Sequence, residues 1–169
     1  MYVANHQGYA DIIVLCAALD TIQMGFVAKQ ELRKVPFYGN WILAIRSVLI
    51  ERDNPRESLK AISRGIDNIK QGFSMVIFPE GTRSRGPEMG EFKKGALKLA
   101  TKPKVPIIPV SIDGSYHCFE ETGYMKGGKV RMLIHPAVPT DSLSKEEEHE
   151  LSDKVEAIIK EGLEKLREE

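Results

Sequence analysis

Two side chains near the start of the chain have the types and the spacing for proton transfer. His6 is the only side chain in its segment that titrates near neutral pH, and Asp11 follows five residues later. A carboxylate that holds one imidazole nitrogen fixes the tautomer, so that the other nitrogen can take a proton from a hydroxyl group. On a continuous helix the two side chains would lie about 140° apart. They meet only if residues 7–10 form a turn, which Gly8 would ease.

The same residues also have a simpler interpretation. Asp11 precedes an apolar segment, so its side chain could cap the N-terminus of a helix, and His6 could be a surface histidine in a loop. On these residues alone the simpler interpretation is the favoured one, because a His and an Asp at this spacing often occur by chance. The two roles of Asp11 could also coexist.

A second group of chemically suited residues follows an apolar segment that ends at Pro79. Gly81 allows a tight turn or a close approach to a ligand. Arg83 carries a planar guanidinium that suits a phosphate, and the Thr82 hydroxyl could complete such an anion site. Glu80 would be placed to accept hydrogen bonds from a polyol. The structural alternative is a solvated turn with an ion pair between Glu80 and Arg83.

The elements that must position these residues have the pattern of an α/β fold. Short β-branched or aromatic segments predict six strands, several of them apolar throughout and therefore covered on both faces. A helix with Asn54 as N-cap and Pro55 at its first position is expected to end at Gly72, and a C-terminal helix is expected to begin with a capping box at Ser144. The predicted strands are Tyr2–Ala4, Gly25–Ala28, Val48–Ile50, Met75–Phe78, Ile107–Ile112 and Val130–Ile134. Weaker helices are predicted at Ile12–Leu19, Phe37–Ala44 and Phe92–Thr101.

Alternating strands and helices predict a single-domain layered α/β/α fold with a mixed, largely parallel central sheet over residues 1–169. The C-terminal helix is expected to pack on the sheet, with contact to lipid as the alternative. His6 follows the first predicted strand and Arg83 follows the fourth. Ligand sites of α/β proteins lie outside the carboxyl ends of strands, where both residues are expected.

The composition narrows the class of protein. The 24 Lys and Arg residues balance the 24 Asp and Glu residues, so the overall charge does not indicate nucleic acid. Two cysteines indicate a reducing compartment rather than a disulfide framework. No signal peptide is visible, and no apolar segment approaches the ~20 residues of a spanning helix. We therefore expect a cytoplasmic protein that would meet a membrane from one side.

Together, the two groups of residues resemble the signature of a known enzyme family. Asn5-His6-x4-Asp11 followed by Phe78-Pro79-Glu80-Gly81-Thr82-Arg83-Ser84 is similar to the glycerophospholipid acyltransferases, in particular the 1-acylglycerol-3-phosphate (PlsC-like) acyltransferases. Two further segments resemble the second and fourth blocks of the family in the same order. They are residues 29–39, which lead to Ile50-Glu51-Arg52, and residues 105–110.

The resemblance implies an O-acyltransferase that moves a fatty acyl group from acyl-CoA or acyl carrier protein to the free hydroxyl of lysophosphatidic acid, giving phosphatidic acid. It makes His6 the general base and Asp11 its orienting partner. The acceptor site would include Glu80, Gly81, Thr82 and Arg83, with Arg83 as a phosphate ligand assisted by Arg52 and Lys29. The resemblance implies no metal and no prosthetic group. The expected partners are the lysophospholipid, the acyl donor, the membrane surface and, as a further candidate, acyl carrier protein; the expected location is cytoplasmic, peripheral at the inner face of the membrane.

The chain departs from the family pattern at its start. Family members generally place a hydrophobic or amphipathic segment before the first block, and here four residues precede Asn5. We expect a domain that lacks this segment, either because an anchor was lost or removed or because surface contact suffices. Three alternatives stay open: another acceptor, such as glycerol 3-phosphate or another lysolipid; a lipid-binding module without catalysis; and metal-dependent hydrolysis by His6, Asp11 and Glu80, although these residues lack a recognisable metal spacing.

Overall fold

The computed structural model describes residues 1–51, 53–93 and 95–168. Its centre is a six-stranded sheet in the order β3-β2-β4-β1-β5-β6. Neighbouring strands are parallel throughout, except that β6 runs antiparallel to β5. The strands are β1 (Tyr2–Ala4), β2 (Met24–Lys29), β3 (Val48–Ile50), β4 (Ser74–Ile77), β5 (Ile108–Asp113) and β6 (Arg131–Ile134). All six predicted strands are present within two residues, so the mixed, largely parallel sheet is confirmed.

Five α-helices and two 3₁₀ turns connect the strands within the described residues. The helices are α1 (Ala10–Ala18), α2 (Tyr38–Ala44), α3 (Pro55–Lys70), α4 (Lys98–Thr101) and α5 (Lys145–Glu168), and the 3₁₀ turns are Gln30–Lys34 and Ser115–Cys118. Both long helices begin as predicted. The Asn54 side chain accepts a hydrogen bond from the Glu57 N–H, and Ser144 and Glu147 exchange the two hydrogen bonds of a capping box.

One helix prediction is largely wrong. Of the expected helix Phe92–Thr101, only the last four residues, α4, are helical. The Phe92 N–H donates to the Glu156 carboxylate at 3.0 Å and the Lys93 N–H donates to the Pro79 carbonyl at 3.0 Å. Gly95 then adopts a φ of +86°. The backbone donors at the start of the segment are therefore used by other parts of the chain, and a left-handed residue interrupts any helix before Lys98.

The sheet has a hydrophobic core on each face, and side chains of successive strand residues alternate between them. Val3 and Ile77 belong to the core shared with α3 and α5, whereas Ala4 and Val76 belong to the core shared with Leu15 of α1. The C-terminal helix packs on the sheet, as expected, and four of its buried side chains belong to the first of these cores: Leu151, Val155, Ile159 and Leu163.

The parallel strands deliver three loops to one edge of the sheet. β1 lies between β4 and β5, and all three strands run in the same direction. Their carboxyl ends therefore lie side by side, and so do the segments that follow them. These segments are residues 5–9 after β1, 78–90 after β4 and 114–123 after β5.

Candidate active site

Asn5 anchors the first loop where β1 ends. Its side chain is 1% exposed, and its amide both donates to the Ile112 carbonyl and accepts from the Ile112 N–H, each at 2.8 Å. The Asn5 side chain thus adds two hydrogen bonds to those that the backbones of β1 and β5 form with each other. The following residue, His6, is therefore held at the edge of the sheet.

His6 and Asp11 are in direct contact, so residues 7–10 do form the required turn. His6 Nδ1 lies 2.7 Å from Asp11 Oδ2, and the imidazole stacks on the Phe78 ring with 4.0 Å between ring centroids and 16° between planes. A carboxylate only accepts hydrogen bonds, which places the proton on Nδ1 and leaves Nε2 able to accept one. The His6 side chain is 17% exposed, so it is not a solvated loop histidine.

The Asp11 carboxylate is fully buried and has three donors. Oδ2 also accepts from the Gly8 N–H at 2.9 Å, and Oδ1 accepts a short hydrogen bond from the Ser115 hydroxyl. The N-cap of α1 is Tyr9, which makes no capping hydrogen bond through its side chain, so the suggested N-cap role of Asp11 is wrong. Instead, Asp11 lies in the first turn of α1 and ties that turn to the imidazole and to the loop after β5.

Glu80 holds the backbone of the His6 turn. Its two oxygens accept from the N–H groups of His6, at 2.6 Å, and Gly90, at 2.8 Å, and the residue is 5% exposed. Burial raises the pKa of this carboxyl above its usual value, while the Gly90 and His6 N–H donors oppose that shift. Both oxygens are thus engaged by the protein, and direct contact between Glu80 and a substrate hydroxyl stays a prediction.

Arg83 lies beside the His6 turn. The Ser84 N–H donates to the His6 carbonyl at 2.8 Å and the Arg85 N–H donates to the Gln7 carbonyl at 3.1 Å, so the first two loops run together. The guanidinium carbon of Arg83 lies 3.6 Å from the centre of the Tyr9 ring. The suggested ion pair with Glu80 is not formed, because Arg83 Nη1 donates to Glu120 Oε1 at 2.8 Å.

The turn between Glu80 and Arg83 brings a further cation to the site. Gly81 has a φ of +71°, and a Cβ at this position would lie 2.9 Å from Lys93 Nζ. The positive φ favours glycine at this position. Thr82 is exposed at the turn. Lys93 therefore lies beside the motif, although nothing in the sequence near it indicated a role.

Lys29, one of the two remaining predicted residues, lies apart from this cluster. Lys29 ends β2, two strands from β1 in the sheet and therefore about 10 Å away. It lines a cavity of about 400 Å³ together with residues of the Gln30–Lys34 turn and with Ile50, Glu51 and Asp53. Arg52 lies outside the described residues. Their assistance to Arg83 stays a prediction.

Sequence reasoning missed Ser115 and Glu120, which complete the surroundings of Asp11 and Arg83. Both lie in the loop after β5, more than 100 residues from their partners Asp11 and Tyr9. No local pattern marks them. The only available signal was topological, because a loop that follows a parallel strand next to β1 must reach the same edge of the sheet. Among the described residues, no group of three or more His, Cys, Asp or Glu side chains is arranged to hold a metal ion.

This fold and this cluster of residues define a class of protein. Residues 1–113 match the family model described as Acyltransferase, and the chain belongs to that family. It is similar to the 1-acyl-sn-glycerophosphate (LPA) acyltransferase PlsC of Thermotoga maritima, whose crystal structure superimposes with a TM-score of 0.84 at 36% identity. The match covers 98% of this chain and 65% of that one.

Curated relatives carry related names. A chloroplastic 1-acyl-sn-glycerol-3-phosphate acyltransferase of Brassica napus is 33% identical over 141 residues, which are 82% of this chain and 40% of that protein. A probable 1-acyl-sn-glycerol-3-phosphate acyltransferase of Mycoplasma genitalium is 33% identical over 171 residues, covering 94% of this chain and 63% of the relative. The chain thus spans less than two thirds of the length of these relatives.

Proposed function

We propose that the chain transfers a fatty acyl group from acyl-CoA or acyl carrier protein to the free hydroxyl of lysophosphatidic acid. The observation that carries this proposal is the His6–Asp11 pair, which shares one edge of the sheet with Arg83 through backbone hydrogen bonds between their loops. A base and a phosphate-binding cation placed together suit an acceptor that carries both a hydroxyl and a phosphate. The names of the relatives, which specify 1-acyl-sn-glycerol 3-phosphate, support this choice of acceptor.

In the proposed mechanism His6 acts as a general base without forming an acyl-enzyme. Nε2 takes the proton of the acceptor hydroxyl as the oxygen attacks the thioester carbonyl. The tetrahedral intermediate then collapses, the C–S bond breaks, and the leaving thiolate takes the proton from the imidazolium. The products are the acylated acceptor and the free thiol of the donor. The mechanism needs neither a metal ion nor a prosthetic group.

Asp11 would stabilise the imidazolium that forms during the reaction. Its charge is fully buried and only 2.7 Å from Nδ1, where little solvent screens the interaction. Because Gly8 and Ser115 hold the carboxylate before substrate binds, no reorganisation is needed when the charge develops. This is the orienting and stabilising role of the acid in a catalytic triad, with the substrate hydroxyl in place of the serine.

Arg83 would bind the acceptor phosphate, and Lys93 beside Gly81 is a second candidate cation. We assign the assisting roles to Lys29 and Arg52, as the family resemblance implies. Binding the phosphate fixes the acceptor relative to His6, which converts an encounter in solution into a reaction between groups already in register. Thr82, Gly81 and Glu80 would shape the turn that receives the acceptor.

We further propose that the protein works as a peripheral protein at the cytoplasmic, inner face of the membrane. No helix in the described part of the chain is long and apolar enough to cross a bilayer. Phe37 is 92% exposed and Trp41 is 41% exposed, with exposed Arg33 and Lys34 nearby in the sequence. Aromatic and basic side chains of this kind suit the boundary between lipid and water.

Replacement of His6 by alanine tests the mechanism. We expect His6→Ala to lower kcat at least about 100-fold, because the general base is lost, while lysophosphatidic acid still binds with nearly unchanged affinity. The assay follows release of free thiol from acyl-CoA with and without lysophosphatidic acid. His149→Ala, at an exposed position in α5, is the matched control and should retain full activity.

The same assay separates the alternatives. Thiol release that requires lysophosphatidic acid supports transfer to this acceptor, and competition with glycerol 3-phosphate compares the two acceptors. Thiol release without any acceptor would indicate hydrolysis, and lipid binding without thiol release would indicate a non-catalytic module. If His6→Ala kept most of the activity, the general-base assignment would be wrong.

A further inference from the structure

A single buried carboxylate joins the two loops that carry the motif residues. The Glu120 side chain is 2% exposed, and its Oε1 accepts both the Tyr9 N–H, at 2.9 Å, and Arg83 Nη1, at 2.8 Å. Tyr9 belongs to the turn between His6 and Asp11, and Arg83 belongs to the loop after β4. One oxygen of Glu120 therefore links the backbone of the first loop to the cation of the second.

Glu120 also fixes the plane in which Arg83 lies. The guanidinium stacks on the ring of Tyr9, with 3.6 Å from Cζ to the ring centroid, while Glu120 holds both the cation and the Tyr9 backbone. The Phe119 ring packs edge-on against the Tyr9 ring, with 5.4 Å between the ring centroids. An arginine has many rotamers to lose on binding, so an arginine already held in one orientation binds a phosphate at a lower entropic cost.

The second oxygen of Glu120, Oε2, is buried and lacks a hydrogen-bond donor among the described residues. It lies against Gly8, where an added Cβ would overlap it. Burying a carboxylate oxygen without a donor is costly. Only glycine at position 8 leaves room for this carboxylate.

We propose that Glu120 is the positioning residue of the acceptor-phosphate site and sets the preference for phosphate-bearing acceptors. This inference rests on the proposed function. Glu120 uses one N–H group of Arg83. The remaining N–H groups of the guanidinium donate to no acceptor among the described residues and are left in a single orientation for the phosphate. It acts through Arg83 and does not touch the reacting atoms. In the absence of phosphate, its charge compensates a cation that is only 20% exposed.

Steady-state kinetics on the full chain test this role. We expect Glu120→Ala to raise the KM for lysophosphatidic acid about tenfold, the factor that corresponds to one charge-assisted hydrogen bond, and to leave the KM of the acyl donor unchanged. Glu120→Gln keeps an oxygen acceptor and should restore the acceptor KM to within about threefold of the original. Glu121→Ala is the matched control, because the neighbouring Glu121 is 46% exposed and pairs with Lys126; it should change neither constant.

Removal of Glu120 can also destabilise the chain, so a second substitution keeps the test decisive. Glu120→Asp retains the charge but withdraws the carboxylate by one methylene, which separates it from Tyr9 and Arg83. We expect a native circular dichroism spectrum and an acceptor KM raised about threefold or more, since the hydrogen bonds lengthen beyond useful geometry. An unchanged KM in a folded Glu120→Asp protein would overturn the proposal.

Coupling to Arg83 distinguishes positioning from a general structural effect. In an Arg83→Ala background, Glu120→Ala should raise the KM for lysophosphatidic acid less than twofold further, because the residue through which Glu120 acts is already gone. The KM for a monoacylglycerol, an acceptor that lacks the phosphate, should change little with either substitution. Additive effects of the two substitutions, or equal losses with both acceptors, would show that Glu120 does not act through Arg83.

A binding measurement separates failure of this inference from failure of the proposed function. Calorimetric titration of lysophosphatidic acid does not depend on turnover. If no acceptor supports thiol release but Glu120→Ala weakens lysophosphatidic acid binding and Glu121→Ala does not, the positioning role stands and the proposed reaction fails. If transfer occurs and neither the KM nor the affinity responds to Glu120, the reaction stands and the positioning role fails.

Discussion

Asp11 owes its position to donors from two separate loops. The Gly8 N–H and the imidazole come from the loop after β1, and the Ser115 hydroxyl comes from the loop after β5. A carboxylate with three donors keeps its orientation better than one with a single partner. The His6 tautomer therefore depends on a residue 104 positions away from Asp11.

Removal of the Ser115 hydroxyl tests this dependence. Ser115→Ala takes one donor from a fully buried carboxylate, and we expect kcat to fall about tenfold while the KM of the acceptor changes little. Steady-state kinetics with lysophosphatidic acid provide the measurement, and Ser142→Ala, at an exposed position, is the control. A raised acceptor KM with an unchanged kcat would place Ser115 in acceptor binding instead.

The residues alone favoured a helix cap at Asp11 and a surface histidine at position 6, and the contact between His6 and Asp11 was expected from the family resemblance. The spacing showed that such a contact needs a turn between the two residues, and the structure has that turn. Ser115 and Glu120 could not be predicted in this way, because their positions follow from strand order and not from local pattern. Gly8 was expected for the freedom of its backbone, whereas its lack of a side chain is what the structure requires, since Glu120 occupies the adjacent space.

Among the elements, those whose signals are local were predicted well. The Asn54 cap and the Ser144–Glu147 capping box each involve residues three apart, and both helices begin where these signals lie. The segment at Phe92 has a helical pattern, but the N–H groups of Phe92 and Lys93 donate hydrogen bonds to Glu156 and Pro79. Tertiary hydrogen bonds therefore override a weak local preference, which no reading of that segment alone would reveal.

The contact of α5 with the sheet is very close at one point. A Cβ at Gly162 would overlap the Ser111 hydroxyl and the His135 ring. Ser111 donates its hydroxyl proton to the Ile159 carbonyl at 2.9 Å, so it must accept from His135 Nε2, which lies 2.8 Å away. Burial lowers the pKa of His135, and the nearby Lys165 lowers it further against the opposing effect of Glu161.

This lowered pKa predicts how stability depends on pH. The unfolded chain binds a proton at His135 as the pH falls through about 6.5, the ordinary histidine value, whereas the folded chain resists it. The contribution of the neutral His135 side chain to the free energy of unfolding is therefore present above that pH and is lost below it. We expect the free energy of unfolding in urea to fall less between pH 7.5 and about pH 5.5 in His135→Gln than in the unaltered protein. Equal falls in the two proteins would contradict this account.

At the scale of the whole molecule, the sheet order brings the site together, and that order was not predictable from the chain. Parallel strands and their number followed from apolar segments, but the placement of β1 between β4 and β5 is a long-range choice. With Lys and Arg balancing Asp and Glu, the molecule has no net charge to attract a membrane. Any attraction to lipid must come from a local surface.

The surface around Phe37 is the best candidate for that attraction. Phe37 has a φ of +61°, which is uncommon for any residue but glycine, and its side chain is almost fully exposed. We expect Phe37→Ser combined with Trp41→Ser to lower sedimentation with anionic phospholipid vesicles about tenfold, because two aromatic groups no longer enter the interface. Leu59→Ser, which removes an apolar side chain that is 65% exposed on α3, is the control; an equal loss there would point to non-specific adhesion.

The hydrogen bond between the Glu80 carboxylate and the backbone N–H of residue 6 has a practical consequence. The carboxylate bonds the peptide N–H and not the imidazole, so the turn does not rely on histidine for its shape. Whatever side chain stands at this position will be presented from the same backbone. In the proposed reaction, the thiolate of a cysteine introduced there could attack the thioester carbonyl itself, which makes this turn a framework for redesigning transfer into two covalent steps.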